Sequence, residues 1–176
     1  MRLFTAVNFT ENIKDELCRI EENLKNNSVK GNFTLRENLH LTLVFIGETS
    51  KLSEVRQAMD AVSENKFMLA MKGFGRFRRD RGDIYWVGID KAKELTSLYR
   101  QLTENLAEAG FKPEDRDYTP HLTLGREVVM REGFQVDEFS KTIPQMSMKA
   151  EKISLMKSER INGKLTYTEI YSKELK

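Results

Sequence analysis

Cysteine, histidine and proline are scarce in this 176-residue chain: one Cys, two His and three Pro. A lone Cys18 excludes an internal disulfide, and without a second cysteine no thiolate-rich zinc site can form. Its expected place is a small buried side chain on the first helix rather than a nucleophile. No uninterrupted apolar run is long enough to span a bilayer, and the opening "MRLFTAVNFTENIKDEL" reaches charge by Glu11, too soon for a secretion signal. A cytoplasmic location follows as the expectation, with no membrane partner. Charge of one sign is lacking too. Twenty-nine Lys and Arg against 27 Asp and Glu leave a net charge of +2, which excludes a polycationic binder but permits a local basic patch.

Apolar residues make up 39% and charged residues 32%, the balance of a soluble globular chain. Residues 2–9 place Leu3, Thr5, Val7 and Phe9 on one parity and read as a strand. Over 10–26, Ile13, Leu17, Ile20 and Leu24 mark one face of a helix, with Thr10 as N-cap. A strand is expected over about 38–46, closed by Gly47, and a helix over 51–64. The runs "KFMLAMKGF" and "DIYWVGID" form a hairpin around the basic "GRFRRDRG", whose Asp80 and Gly82 are turn residues. A helix over 91–109 ends at Gly110, and a short helix is expected near 135–141. The chain closes with strands over 145–160 and 164–175, joined at Asn162-Gly163 by a two-residue turn. This order of elements is a weak internal repeat. It predicts an α+β fold for residues 1–176, a single bilobal unit whose two pseudo-symmetric lobes each carry an antiparallel sheet and helices, with a cleft between them.

Both histidines sit in copies of one tetrapeptide, HLTL, at His40 and His121, 81 residues apart. In a strand the leucines Leu41, Leu43, Leu122 and Leu124 face the core, while His40, Thr42, His121 and Thr123 share the opposite face. One His-Thr pair on a sheet is ordinary; two that use every histidine in the chain are not. Two His without a nearby Cys or carboxylate at ligand spacing leave a zinc ion short of ligands, so no metal and no cofactor is expected. An imidazole titrates near neutrality, so the pair can supply one general base and one general acid. Threonine hydroxyls can donate to the oxygens of an anion between them, the set that in-line displacement at a phosphodiester requires. Arg126 adds a cation suited to phosphate, provided the strand ends or bulges at Gly125, because strict alternation would turn it to the leucine side.

The paired motif resembles the 2H phosphoesterase superfamily. With "MRLFTAV", "ENLHLTLVFIGE", "IYWVGI" and "YTPHLTLGR" in that order, the chain is more closely similar to the RNA 2′,3′-cyclic phosphodiesterases first named 2′-5′ RNA ligases. The resemblance covers nearly the full length. It implies opening of a terminal 2′,3′-cyclic phosphate to a 2′-phosphate without metal, on RNA or a small cyclic-phosphate nucleotide. It also implies His40 as general acid and His121 as general base, with Thr42, Thr123 and Arg126 on phosphate oxygens. The residues alone do not say which histidine is which. Arg76, Arg78, Arg79 and Arg81, interleaved with Phe74 and Phe77, are candidate RNA contacts or a solvated hairpin tip, and Tyr118 is a candidate base-stacking residue. Trp86 could also stack on a base but is expected rather in the core, and Gly73 and Gly75 make no phosphate loop. A monomer is expected. Alternatives are another 2H activity (cleavage or ligation of 2′-5′ linkages, or hydrolysis of an ADP-ribose cyclic phosphate) and a non-catalytic RNA-binding module.

Overall fold

The first strand, β1 (Arg2–Asn8), is buried along most of its length because both of its faces are covered. Leu3 and Val7 enter the main core, whereas Phe4 and Ala6 form a separate small cluster with Met156 and Tyr167 on the other face. The computed structural model describes residues 1–114 and 117–176. After β1 the chain runs through α1 (Glu11–Asn26), β2 (Ser28–Phe33), a single 3₁₀ turn (Arg36–Asn38), β3 (His40–Glu48) and α2 (Leu52–Asp60). The hairpin β4 (Phe67–Phe77) and β5 (Asp83–Ile89) leads to α3 (Lys93–Glu108) and β6 (His121–Met130). A short α4 (Val136–Ser140) precedes β7 (Met146–Ala150), β8 (Lys152–Ile161) and β9 (Lys164–Glu174).

Two sheets result, with orders β3-β1-β8-β9 and β2-β6-β5-β4-β7, and every strand pair in them is antiparallel. The α+β expectation and its two lobes stand. The sheets do not follow chain order. The hairpin β4-β5, made after the first HLTL strand, joins the sheet of the second, and the last hairpin β8-β9 crosses back to the sheet of the first. Helices α1 and α3 bury Leu17, Leu24, Leu95, Leu98, Leu102 and Leu106 completely, in a core cluster that draws on both sheets. Each such leucine contributes roughly 1.5–3 kcal/mol of transfer free energy.

Local chemistry explains most boundaries and corrects several. Asn162 and Gly163 both take positive φ, 51° and 78°, as a tight primed turn demands. Gly110, at φ 85°, stands one residue past the α3 cap at Ala109. Thr10 occupies the N-cap of α1 in an extended conformation but its side chain makes no cap bond. The segment 145–160, expected as one strand, divides at Glu151, and β7 and β8 lie in different sheets. Strand β2 was not legible in the sequence: Val29 on it is 69% exposed, and its partner is the edge of β6.

Candidate active site

Alternation on β3 and β6 does what the HLTL motif asks. Leu41, Leu43, Leu122 and Leu124 are at most 3% exposed, while Thr42 is exposed and His40, His121 and Thr123 are half-buried. The two imidazoles are built alike. His40 Nδ1 lies 2.7 Å from the Asn38 carbonyl and His121 Nδ1 lies 2.8 Å from the Thr119 carbonyl, in each case two residues upstream. A carbonyl only accepts, so Nδ1 carries the proton in both rings and Nε2 is the nitrogen left to exchange protons. His40 Nε2 lies 2.9 Å from the Thr42 hydroxyl, which donates to it while the ring is neutral.

The motif strands are stitched together. Tyr118, three residues before His121, donates its hydroxyl to the Thr42 carbonyl at 3.0 Å. In return Thr34, in the segment leading to β3, donates its backbone N–H to Leu124 O and its hydroxyl to Thr123 O, each at 2.8 Å. Strands β3 and β6, one from each sheet, therefore pack against each other. Tyr118 also stacks on Tyr99 at 4.2 Å between ring centroids, and burial pushes its phenol up. With its hydroxyl and one ring face committed, this candidate stacking residue fastens one motif to the other.

The surroundings of the two rings differ. His40 packs against both Phe4 and Tyr167, at 4.9 and 5.2 Å, and those two rings meet edge-on at 5.0 Å. Burial is the main reason the His40 imidazole is held down at about 4; nearby Lys14 lowers it further, and the Asn38 carbonyl opposes both. His121 meets Phe77 edge-on at 5.2 Å and Trp86 at 6.4 Å. Trp86 departs from expectation. In register Trp86 faces Thr123, and Gly88 faces His121, so the indole lies on the histidine face. Tyr85, only 1% exposed, takes the core position instead. Gly75 makes room for this, since a Cβ there would lie 2.4 Å from the indole ring.

Arg126 meets the condition that the sequence set. The pairing of β6 slips on both sides of Gly125, and Glu127 takes a left-handed φ of 53°. Leu124 and Val128 stay buried while Arg126 between them is exposed. Together with Arg2, Arg126 pulls down the Tyr167 phenol, which burial otherwise raises. A cation on the second motif strand is thus within electrostatic reach of the ring that borders His40. Of the hairpin-tip arginines, Arg76 is bound to Asp83 at 3.0 Å and Arg78 and Arg81 are exposed, while Arg79 lies over the Phe77 ring at 6.0 Å. Among the described residues no three His, Cys, Asp or Glu side chains gather as a metal site would require, and no helix is long and apolar enough to cross a membrane.

The chain has relatives among known proteins. A family model described as the 2′-5′ RNA ligase superfamily matches residues 13–162. The RNA 2′,3′-cyclic phosphodiesterase of Methanothermobacter thermautotrophicus is 30% identical over 179 aligned residues, covering 97% of this chain and 96% of that protein. The protein of the same name from Methanocaldococcus jannaschii is 36% identical over 129 residues, 72% of this chain and 71% of its own. Escherichia coli LigT, crystallised with 3′-AMP, superposes with a TM-score of 0.81 at 25% identity, over 99% of this chain and 97% of that one.

Proposed function

The chain belongs to the 2′-5′ RNA ligase superfamily of 2H phosphoesterases, and from that premise we propose that it hydrolyses 2′,3′-cyclic phosphate ends of RNA to 2′-phosphates with its two histidines as acid and base. One observation carries the reading most. Each histidine fixes Nδ1–H on a carbonyl two residues upstream and keeps Nε2 for chemistry, on two strands tied together through Tyr118 and Thr34 in the segments that lead into them. Duplicated proton-transfer groups have no use in a module that only binds.

In the proposed reaction His121 Nε2 takes a proton from water as its oxygen bonds to phosphorus. The P–O3′ bond breaks opposite, and His40 Nε2 delivers a proton to the departing 3′ oxygen, leaving a 3′-hydroxyl and a 2′-phosphate. Thr42 and Thr123 donate to the non-bridging oxygens, and Arg126 offsets their charge. An imidazole held at about 4 is neutral near pH 7, so His40 needs help to act as an acid. The substrate provides it: a phosphate anion at ~4 Å with an effective dielectric near 20 stabilises the imidazolium by about 4 kcal/mol, or roughly three pH units. His40 thereby takes up its proton when an anion is bound.

The test is hydrolysis of a cyclic-phosphate-ended oligoribonucleotide in EDTA, with the product end identified. Release of a 2′-phosphate by the wild type, and its loss in both His40→Ala and His121→Ala, is the expected result. Full activity in either variant overturns the reading. A 3′-phosphate product, or action only on 2′-5′ linkages, assigns the same machinery to a different 2H reaction.

A further inference from the structure

Behind the hairpin β4-β5, on the sheet face opposite His121, lies an open cavity of about 670 Å³. Its rim carries Lys30, Arg79 and Arg81, and Arg76 and Tyr85 form part of its wall. Arg76 is paired with Asp83. Lys30, Arg79 and Arg81 are exposed and have no ion pair among the described residues, and these three cations face two acids, Asp80 and Glu127, the latter accepting a hydrogen bond from the neutral amide of Asn32 at 3.0 Å. The floor is stiff. Gly82, at φ 125°, approaches the Glu127 backbone so closely that a Cβ there would lie 2.6 Å from its carbonyl carbon.

A chain of contacts leads from His121 round the hairpin tip to this cavity. The His121 ring touches Phe77 at 5.2 Å, Arg79 lies over that same Phe77 ring at 6.0 Å, and Arg79 lines the cavity. Along β6, His121 and the cavity-lining Val128 are seven residues apart, on the order of 20 Å at the usual strand rise. Aromatic rings followed by cations along such a track match single-stranded RNA, which stacks its bases and lays its phosphates in a basic groove. We propose that this cavity binds backbone phosphates of an RNA strand whose end occupies the histidine site, so that the preferred substrate is an oligonucleotide rather than a mononucleotide. The proposal rests on the phosphoesterase reading for what occupies the histidine site, and the cavity's affinity for RNA is measured independently of catalysis.

The experiment compares the wild-type full chain with a Lys30→Gln/Arg81→Gln double variant. Fluorescence anisotropy reads binding of a single strand of about ten nucleotides ending in a 2′-phosphate, a length within known site sizes. Competition reads a 2′-mononucleotide and inorganic phosphate. Both substituted residues are exposed, and a thermal melt confirms that the variant folds. The expected result is a loss of about tenfold on the oligonucleotide with little change on the mononucleotide, and a salt slope shallower by about 1.4, as two lost phosphate contacts on a single strand predict. Equal losses on both ligands, or none on either, overturn the proposal. Tighter binding of an oligoglutamate peptide than of RNA overturns it in favour of a protein partner. Cation-dependent RNA binding without hydrolysis supports the cavity while overturning the proposed reaction.

Discussion

Replacing His40 by Gln removes a group whose two protonation states the fold treats very differently. Unfolded, the imidazole titrates near 6.5; folded against Phe4 and Tyr167 it is held at about 4, chiefly by burial. The folded pKa is depressed, so the unfolded chain binds the proton first as pH falls, and stability is lost between about 6.5 and 4. At pH 7 both states are mostly neutral and the effect is small. At pH 4.5 the unfolded ring is almost fully charged and the folded ring is mostly neutral, which costs about 2 kcal/mol relative to pH 7. Urea denaturation of the wild type and of His40→Gln at both pH values isolates this amount, because every other titrating group is common to the two. The stability of the variant relative to the wild type should rise by about 2 kcal/mol on acidification. A relative change below about 0.5 kcal/mol would show that the ring titrates normally and is not desolvated by its aromatic neighbours. The same imidazole, followed by NMR, should move upward by roughly three units when a 2′-nucleotide is bound, and by linkage that nucleotide should bind more tightly as pH falls toward 5.

Two further perturbations bear on the frame around the site. Glu21 on α1 has a buried carboxylate oxygen without a partner among the described residues, and burial pushes its carboxyl up to about 7. Glu21→Gln should therefore stabilise the fold more at pH 8 than at pH 5, by roughly 1–2 kcal/mol once the solvent screening of a partly exposed carboxylate is allowed for, a difference readable by denaturation. Tyr118→Phe deletes the hydroxyl that reaches the Thr42 carbonyl. It should cost about 1 kcal/mol in stability and lower kcat more than it raises KM, since it loosens the relation of the two motifs while removing no group from the substrate.

The site was legible where the physics is local. Strand alternation assigns Leu41 and Leu122 to the core and the His-Thr pairs to the other face. It also shows why Arg126 needs a bulge, and the register slips around Gly125 provide one. What stayed hidden depends on distant pairing. "IYWVGI" is apolar at both parities, so only its register with His121 decides that Tyr85 turns inward and Trp86 outward. The crossing of β8-β9 back to the first sheet leaves no local mark. The residues that enter the main core are Met146, Met148 and Ala150 on β7 but Ile153 and Leu155 on β8, a phase change at Glu151 that shows only once the core is known, because β8 also buries Ser154 and Met156 on its other face. The Tyr118–Thr42 and Thr34–Thr123 bonds span 76 and 89 residues and could not be read from any local pattern.

The measurement that bears most directly on the central claim is a crystal structure with a 2′-phosphorylated nucleotide. The expected result is one phosphate with His40 Nε2 and His121 Nε2 on opposite sides, each within hydrogen-bond distance of its oxygens, and Thr42 and Thr123 donating to the remainder. A phosphate held by only one imidazole, or seated away from both, would contradict it.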